Sequence, residues 1–351
     1  MSKTHVTLFA QGLVNRAGIE RMTAALANLL ADKYEVSIVL IEPCPQDKIP
    51  YHVNESVKIV SFNSKFSGLN LSNIKLLRKT LKELKTEVLI TVATPLVRIS
   101  APAVAGLKIR NISWEHFNLY AGSKIGSCWK WLSTYMVERT VVLCEDDAVN
   151  FRKAKARNVT VISNFSSLGE ENEPSECTEK TILAVGRHAN QKGFDMLIKA
   201  WAKTEAKDWT LKIVGSGQLL EQNISLAKEL GVYDRIIFQD ATPDIVSEYR
   251  KASCFVLSSR YEGLVMVLIE ARMMGLACVS FDCPTGPREI IRNNVDGFLV
   301  PAEDIQALAD KLTETLASSD LKKYGTLARQ DAMQRYGLER AYEAWSEIIN
   351  R

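Results

Sequence analysis

The feature that most constrains this chain is a rhythm. Short apolar runs alternate with segments of helical periodicity almost from end to end. HVTLFA leads through a loop holding Gly12 and Gly18 into GIERMTAALANLLAD. VSIVLIE, VKIVSF, EVLITVA, IRNISW and TVVLCE continue the strand set, with IKLLRKTLKELK and WKWLSTYMVER as helices. Strands this short and apolar, each followed by a helix, predict parallel sheets covered on both faces.

The rhythm breaks once, at the polar, acidic stretch NFSSLGEENEPSECTEK. It restarts with TILAVG and FDMLIKAWAKT. WTLKIVG, QLLEQNISLAKELG, DRIIFQD, PDIVSEYRKA, CFVLSS, ACVSFD, GFLV and DIQALADKLTETLAS follow. The expectation is a first domain over 1–168, a linker over 169–180 and a second domain over 181–333. A last helix in 334–351 is expected to pack back across the junction, with Trp345 and Ile348 on its apolar side. With 351 residues and 46% hydrophobic content, the chain can fill two such cores.

Charge divides in the same way. Residues 1–170 carry 22 Lys and Arg against 14 Asp and Glu, a balance of +8. Residues 171–351 carry 22 against 27, a balance of −5. The basic half suits a phosphate-bearing partner or an anionic membrane surface. No run of apolar residues is long enough to span a bilayer, and MSKTHVTLFAQGL reads as a first strand rather than a signal peptide. Seven scattered cysteines form no CxxC pair, and the four histidines are dispersed too, which argues against zinc or iron–sulfur. Reduced, buried thiols in a cytoplasmic protein are expected.

In parallel α/β sheets, ligands gather beyond the carboxyl ends of the strands. Four loops there are unusual. QGLVNRAGIER brings Gly18 to a helix start, where free amides can meet an anion, although an ordinary strand–helix turn reads the same. GRHANQKGFD places Arg187 and Lys192 between a strand and a helix. A planar fork plus a mobile point charge suits a diphosphate. KIVGSG offers Gly215 and Gly217 for close approach of a ligand, or simply for a tight turn. SSRYEGLVMVLIEA sets Glu262 just before a helix start, near the amides of Gly263, Leu264 and Val265, and Glu270 within the helix. Eight residues carry the second acid about 80° past two full turns, so the two are not stacked. A carboxylate accepts two hydroxyl protons and so suits a sugar diol. The plainer alternative makes Glu262 a cap and Glu270 a solvated acid. In ISWEHFNLY, His116 follows a strand, flanked by Glu115 and Phe117, and a lone histidine is more often structural than catalytic.

Together the segments GRHANQKGFDMLIKAW, VGSG, SSRYEGLVMVLIEA, FDCPTGPREII and NNVDGFLVP, within about 181–301, resemble the retaining, GT-B-type glycosyltransferases of family 4. The first half matches more loosely, through AGIER and WEHF. The resemblance implies a GT-B fold, with two facing Rossmann-like domains and a cleft between them. It implies that Arg187 and Lys192 bind a donor diphosphate. Glu270 would hold the nucleotide ribose. Glu262 and the amides of 263–265 would hold the transferred sugar. Gly18 and Gly215 would border the donor, and His116 would lie near its sugar. Departures are Ala17 where a second glycine is frequent, and Val265 and Ala277 where proline is frequent.

The implied reaction transfers a hexose or N-acetylhexosamine, with UDP-sugar the favoured donor and no metal required, since no DxD cluster stands in a plausible place. EDD at 145–147 reads as a cap for the next helix. The CPTGPREII loop resembles that of bacterial surface-polysaccharide enzymes acting on lipopolysaccharide, O-antigen or capsule, so the expected acceptor is a lipid-linked oligosaccharide or lipopolysaccharide. Lys75, Arg78, Lys79, Lys82 and Lys85 around an apolar stripe, with Trp129, Trp131 and Tyr135 near Lys124 and Lys130, predict peripheral attachment to the anionic inner membrane surface; the plainer alternative is a solvated basic helix in an enzyme with a soluble acceptor. A nucleotide-sugar epimerase or hydrolase of the same build is the competing class. A nucleic-acid binder lacks any reading module.

Overall fold

The computed structural model describes residues 3–15, 18–65, 70–116, 119 and 124–351. Ala17, Phe117 and the Lys124 side chain lie outside the described residues. The chain divides into two units, 1–163 with 341–351, and 164–340.

The first unit holds a seven-stranded sheet. Its strands are β1 (His5–Ala10), β2 (Glu35–Leu40), β3 (Lys58–Ser61), β4 (Val88–Val92), β5 (Arg110–Trp114), β6 (Arg139–Val142) and β7 (Val159–Val161). Their order is β3-β2-β1-β4-β5-β6-β7, with every pair parallel. β1 and β4 are buried at every position, as strands covered on both faces must be. The helices are α1 (Gly18–Ala31), α2 (Leu71–Glu83), α3 (Val97–Val104), α4 (Lys124–Ser133) and α5 (Glu145–Lys153). Asn70 caps α2 by accepting from the amides of Ser72 and Asn73. Leu77 and Leu81 of α2 are fully buried, worth about 1.5–3 kcal/mol each.

The second unit holds six parallel strands: β8 (Thr181–Val185), β9 (Thr210–Val214), β10 (Ile236–Gln239), β11 (Cys254–Leu257), β12 (Ala277–Asp282) and β13 (Phe298–Pro301). Their order is β10-β9-β8-β11-β12-β13. Around them lie α6 (Leu168–Glu171), α7 (Phe194–Lys203), α8 (Leu220–Glu229), α9 (Ile245–Lys251), α10 (Met266–Met273), α11 (Pro287–Ile290), α12 (Ile305–Ala317) and α13 (Leu321–Tyr336). The strand order reverses direction between β8 and β11. The loops after those two strands therefore flank the crevice where such sheets bind ligands. The stretch 169–180 runs along this unit, pinned where Ser175 donates its amide to the Met274 carbonyl and its hydroxyl to that of Ala252. The chain then returns to the first unit through α14 (Leu338–Ile349), whose fully buried Trp345 meets Trp114 edge-on at 5.2 Å.

Three expectations need correcting. The helix expected over WKWLSTYMVER stops at Ser133, because the Ser133 and Thr134 hydroxyls turn back onto the carbonyls of Lys130 and Trp131, and Arg139 already opens β6. Lys130 is buried and does not face solvent beside the aromatics. All seven cysteines are free, but Cys128 is exposed and Cys44 and Cys177 are only half-buried.

Candidate active site

The loop after β8 begins with Gly186 and Arg187, continues through a 3₁₀ turn over Asn190–Lys192, and enters α7 through Gly193. Gly193 sits at φ 61°, where a Cβ would lie 2.1 Å from the Ser258 carbonyl oxygen. Only glycine lets this loop press against the end of β11. Ser258 Oγ donates to the Lys192 carbonyl at 2.9 Å, and the Arg260 amide donates to that of Gln191 at 2.8 Å. The Arg260 guanidinium forks onto both oxygens of Asp195 at 2.9 and 2.8 Å. Burial works against the Asp195 charge, but the Arg260 hydrogen bonds outweigh it and hold the carboxyl below its usual range.

This docking brings two of the expected residues into contact. Lys192 Nζ donates to Glu262 Oε1 at 2.6 Å, and both side chains are largely buried. The same carboxylate accepts from Ser259 Oγ at 2.5 Å and from Gln191 Nε2 at 3.2 Å. Thr285, from the loop after β12, donates its hydroxyl to the Glu262 carbonyl. Beneath the cluster lies Cys283, whose thiol is pushed up to about 12 by burial and then by the neighbouring Glu262 charge. α10 begins at Met266 with no side-chain cap. Among the described residues nothing bonds the amides of Gly263, Leu264 and Val265, which leaves donors at the positive end of the helix.

Arg187 is exposed, and its side chain has no ion pair or hydrogen bond among the described residues. The turn behind it is held by the loop after β9. There the His188 amide donates to Ser216 O at 3.0 Å, and Leu219 N donates to His188 O at 2.9 Å. Gly215 and Gly217 make this possible, since a Cβ on them would fall 1.8 Å from Gly186 O and 2.6 Å from His188 O. These glycines thus serve loop-to-loop packing. Glu270 is not a solvated acid: it is 1% exposed and accepts the Tyr249 hydroxyl at 3.1 Å.

In the first unit, His116 follows β5. Its ring lies 4.3 Å from that of Trp114, and its Nε2 is buried with no partner among the described residues. Burial lowers its pKa to about 3, so the ring is neutral at physiological pH. Glu115 beside it accepts the Thr94 hydroxyl and, at 3.0 Å, the His116 amide. Gly18 lies exposed at the start of α1. Glu145, Asp146 and Asp147 form the first turn of α5, where negative charge suits a helix N-terminus. Among the described residues there is no group of three or more His, Cys, Asp or Glu able to hold a metal ion.

Sequence reasoning missed Gln191, Ser259 and Thr285 as partners of Glu262. The serines before YEG and the NQKG turn were visible, but their meeting depends on the register of β8 beside β11.

The family model for glycosyl transferases group 1 matches residues 170–331, which contain this whole cluster. An uncharacterized glycosyltransferase of Haemophilus influenzae is 32% identical over 353 residues, spanning 98% of this chain and 99% of its own. The chain belongs to the glycosyl transferases group 1 family. It is also 27% identical over 259 residues to the lipopolysaccharide 1,6-galactosyltransferase of Salmonella typhimurium, 69% of this chain and 71% of that one. In fold it resembles the Anabaena protein HepE, solved with UDP-glucose, at a TM-score of 0.80 and 17% identity over 99% of each chain. The protein is thus a glycosyltransferase with two Rossmann-like units of the GT-B type, related to bacterial surface-polysaccharide enzymes. It moves a sugar from a nucleotide donor to a glycan acceptor. The epimerase, hydrolase and nucleic-acid alternatives fall with that assignment.

Proposed function

We propose that this enzyme is a retaining transferase of family 4 that moves a hexose or N-acetylhexosamine from a UDP-sugar to a lipid-linked glycan. The observation that carries the proposal is the Lys192–Glu262 cluster beside three unpartnered amides at the strand switch of the second unit. A cation, a carboxylate and free helix-start donors form the set that a nucleotide-linked sugar requires: positive charge for diphosphate and acceptors for hydroxyls. Arg187 and Lys192 bind the diphosphate. Glu262, with the amides of Gly263, Leu264 and Val265, holds the sugar. Glu270 takes the ribose, and Gly18 and Gly215 border the donor. His116, kept neutral, is a hydrogen-bond partner of the sugar. The donor belongs to residues 181–333 and the acceptor to residues 1–168.

In the front-face reaction, the bond from the anomeric carbon to the diphosphate breaks as the bond to the acceptor oxygen forms. The acceptor proton passes to the departing phosphate. Negative charge grows on the diphosphate, where Arg187, Lys192 and the helix-start amides are positioned to stabilise it. No metal takes part in this scheme. The acceptor reading is supported by the lipopolysaccharide relative, and UDP by the ligand of the Anabaena protein. With a lipid-borne acceptor, the enzyme works at the cytoplasmic face of the inner membrane. A donor panel of UDP- and GDP-sugars, with products weighed by mass spectrometry and the new anomeric centre assigned by NMR, tests all of this. Transfer from UDP-sugars with retained configuration is expected. Exclusive use of a GDP-sugar, or an inverted product, overturns the reading.

A further inference from the structure

The first unit contains a pocket of about 670 Å³ between α3 and α4, lined by Arg98, Ala101, Pro102, Trp129 and Met136. That volume lies within the range of small-molecule sites, about 300–1,000 Å³. Its walls are almost wholly carbon, with one exception. The Arg98 guanidinium stacks over the Trp129 ring, 4.6 Å from its centroid. Among the described residues, Arg98 Nε and the Trp129 indole nitrogen have no hydrogen-bond partner. Arg98 has no ion pair among the described residues. Of the lining residues, Met136 is itself exposed, so the mouth carries an apolar side chain as well.

These features select the occupant. A purely apolar ligand would leave the Arg98 charge unanswered in a carbon-walled site. A free sugar or phosphate would leave the carbon wall and its rim in water. A hydrocarbon chain ending in phosphate satisfies both, with oxygens on the guanidinium and chain against Trp129 and Met136. The position fits too. One helical turn before Arg98, Thr94 donates to Glu115, the residue preceding His116.

We infer that this pocket binds the lipid phosphate of the acceptor itself, a polyprenyl or acyl chain bearing phosphate, and so selects lipid-linked over free glycans. The inference rests on the lipid-linked acceptor proposed above. It is tested with farnesyl phosphate, farnesol and inorganic phosphate, each titrated against tryptophan fluorescence of the full chain. Farnesyl phosphate should bind at least tenfold more tightly than either of the others. Arg98→Gln, Ala101→Trp and Met136→Asp, which respectively remove the charge, fill the pocket and charge its rim, should each weaken it roughly tenfold and leave UDP affinity unchanged.

Transfer assays separate the two ideas. If wild type glycosylates a water-soluble glycan as well as the same glycan on a polyprenyl phosphate, the lipid-linked reading fails. If wild type prefers the lipid-linked glycan and the three variants keep that preference and their farnesyl phosphate affinity, the pocket assignment fails instead. Equal loss of flotation with phosphatidylglycerol vesicles and of farnesyl phosphate binding in the variants would make this a bulk-lipid site, and would also overturn the proposal.

Discussion

Lys192 Nζ and Glu262 Oε1 lie 2.6 Å apart, although they come from different loops and are proposed to serve different parts of one substrate. The ammonium intended for a diphosphate is held by the carboxylate intended for a sugar. A buried pair of this kind keeps both charges solvated by protein while no donor is bound. When a diphosphate enters, it competes for the same ammonium, and Glu262 retains Ser259 and Gln191 as partners. The Arg187 side chain, unpaired among the described residues, needs no such exchange.

That difference gives the first prediction. Lys192→Ala and Arg187→Ala should each lower kcat/KM by roughly 10²-fold, because each removes a donor to the charge that grows on the leaving group. Lys192→Ala should also lower stability, since it leaves Glu262 partly buried without its cation. Arg187→Ala should not. Steady-state kinetics with thermal unfolding checks both. Near-wild-type kinetics in the two variants would remove them from the mechanism.

The two glutamates should separate in calorimetry. Glu270→Ala should weaken UDP binding. It should also destabilise the fold by about 1 kcal/mol, because the buried Tyr249 hydroxyl loses one acceptor and keeps the Val267 carbonyl at 3.3 Å. Glu270→Gln keeps an acceptor oxygen and should recover most of that stability. Glu262→Ala should leave UDP affinity close to wild type and impair sugar transfer. Equal loss of UDP affinity in both alanine variants contradicts the division of roles.

The fold was legible where local sequence decides structure. HVTLFA is β1 and ACVSFD is β12 to the residue, because β-branched and apolar side chains fill strands closed by loop residues. α13 was not foreseen. Its buried face mixes Leu321, Ala328, Ala332 and Tyr336 with Gly325 and Asp331, where Asp331 meets the fully buried Arg272 guanidinium and Gly325 packs against the Gly275 carbonyl. Such a helix is specified by partners far away in the chain. In the site, the acids and cations could be read from their loops. The contact of Lys192 with Glu262 could not, since it depends on which strand lies beside which.

Activity should survive chelation. With no three-carboxylate or His/Cys cluster among the described residues, EDTA should leave turnover within about twofold of the untreated enzyme. Loss of activity in EDTA, restored by a divalent ion, would overturn the scheme and turn attention to Asp146 and Asp147.

His116 provides a pH prediction. Burial lowers its folded pKa from 6.5 to about 3. Between those values the unfolded chain binds a proton that the folded chain does not, so this residue makes unfolding easier as pH falls through that window. His116→Gln should therefore flatten the acid limb of the stability profile below pH 6.5. In wild type, kcat should show no titration near 6.5 arising from this ring. A limb near 6.5 that vanishes in His116→Gln would show a protonated role and contradict the neutral one.

The enzyme should reach its acceptor by attaching to anionic lipid through α2. Leu77 and Leu81 are buried on the unit's core, and Lys75, Lys79, Lys82 and Lys85 face outward. Arg78 is not among the free cations, since its Nη1 donates to the carbonyls of Ala103 and Ala105, at and just past the end of α3, at 2.8 Å each. Lys79 is only loosely engaged, 3.7 Å from Glu83 and exposed. Each well-placed cation is worth about 1 kcal/mol at an anionic surface. Three or four together suffice for reversible attachment without insertion, and no described helix is long and apolar enough to cross a membrane. Wild type should float with vesicles containing anionic lipid at low salt and be released as salt shortens the screening length. Reversing Lys75, Lys79 and Lys82 to Glu should keep the protein in solution while its UDP affinity stays the same. Because Arg78 is already committed, Arg78→Gln should cost stability rather than flotation. If wild type fails to float, or if the triple reversal floats as well as wild type, α2 is not the contact.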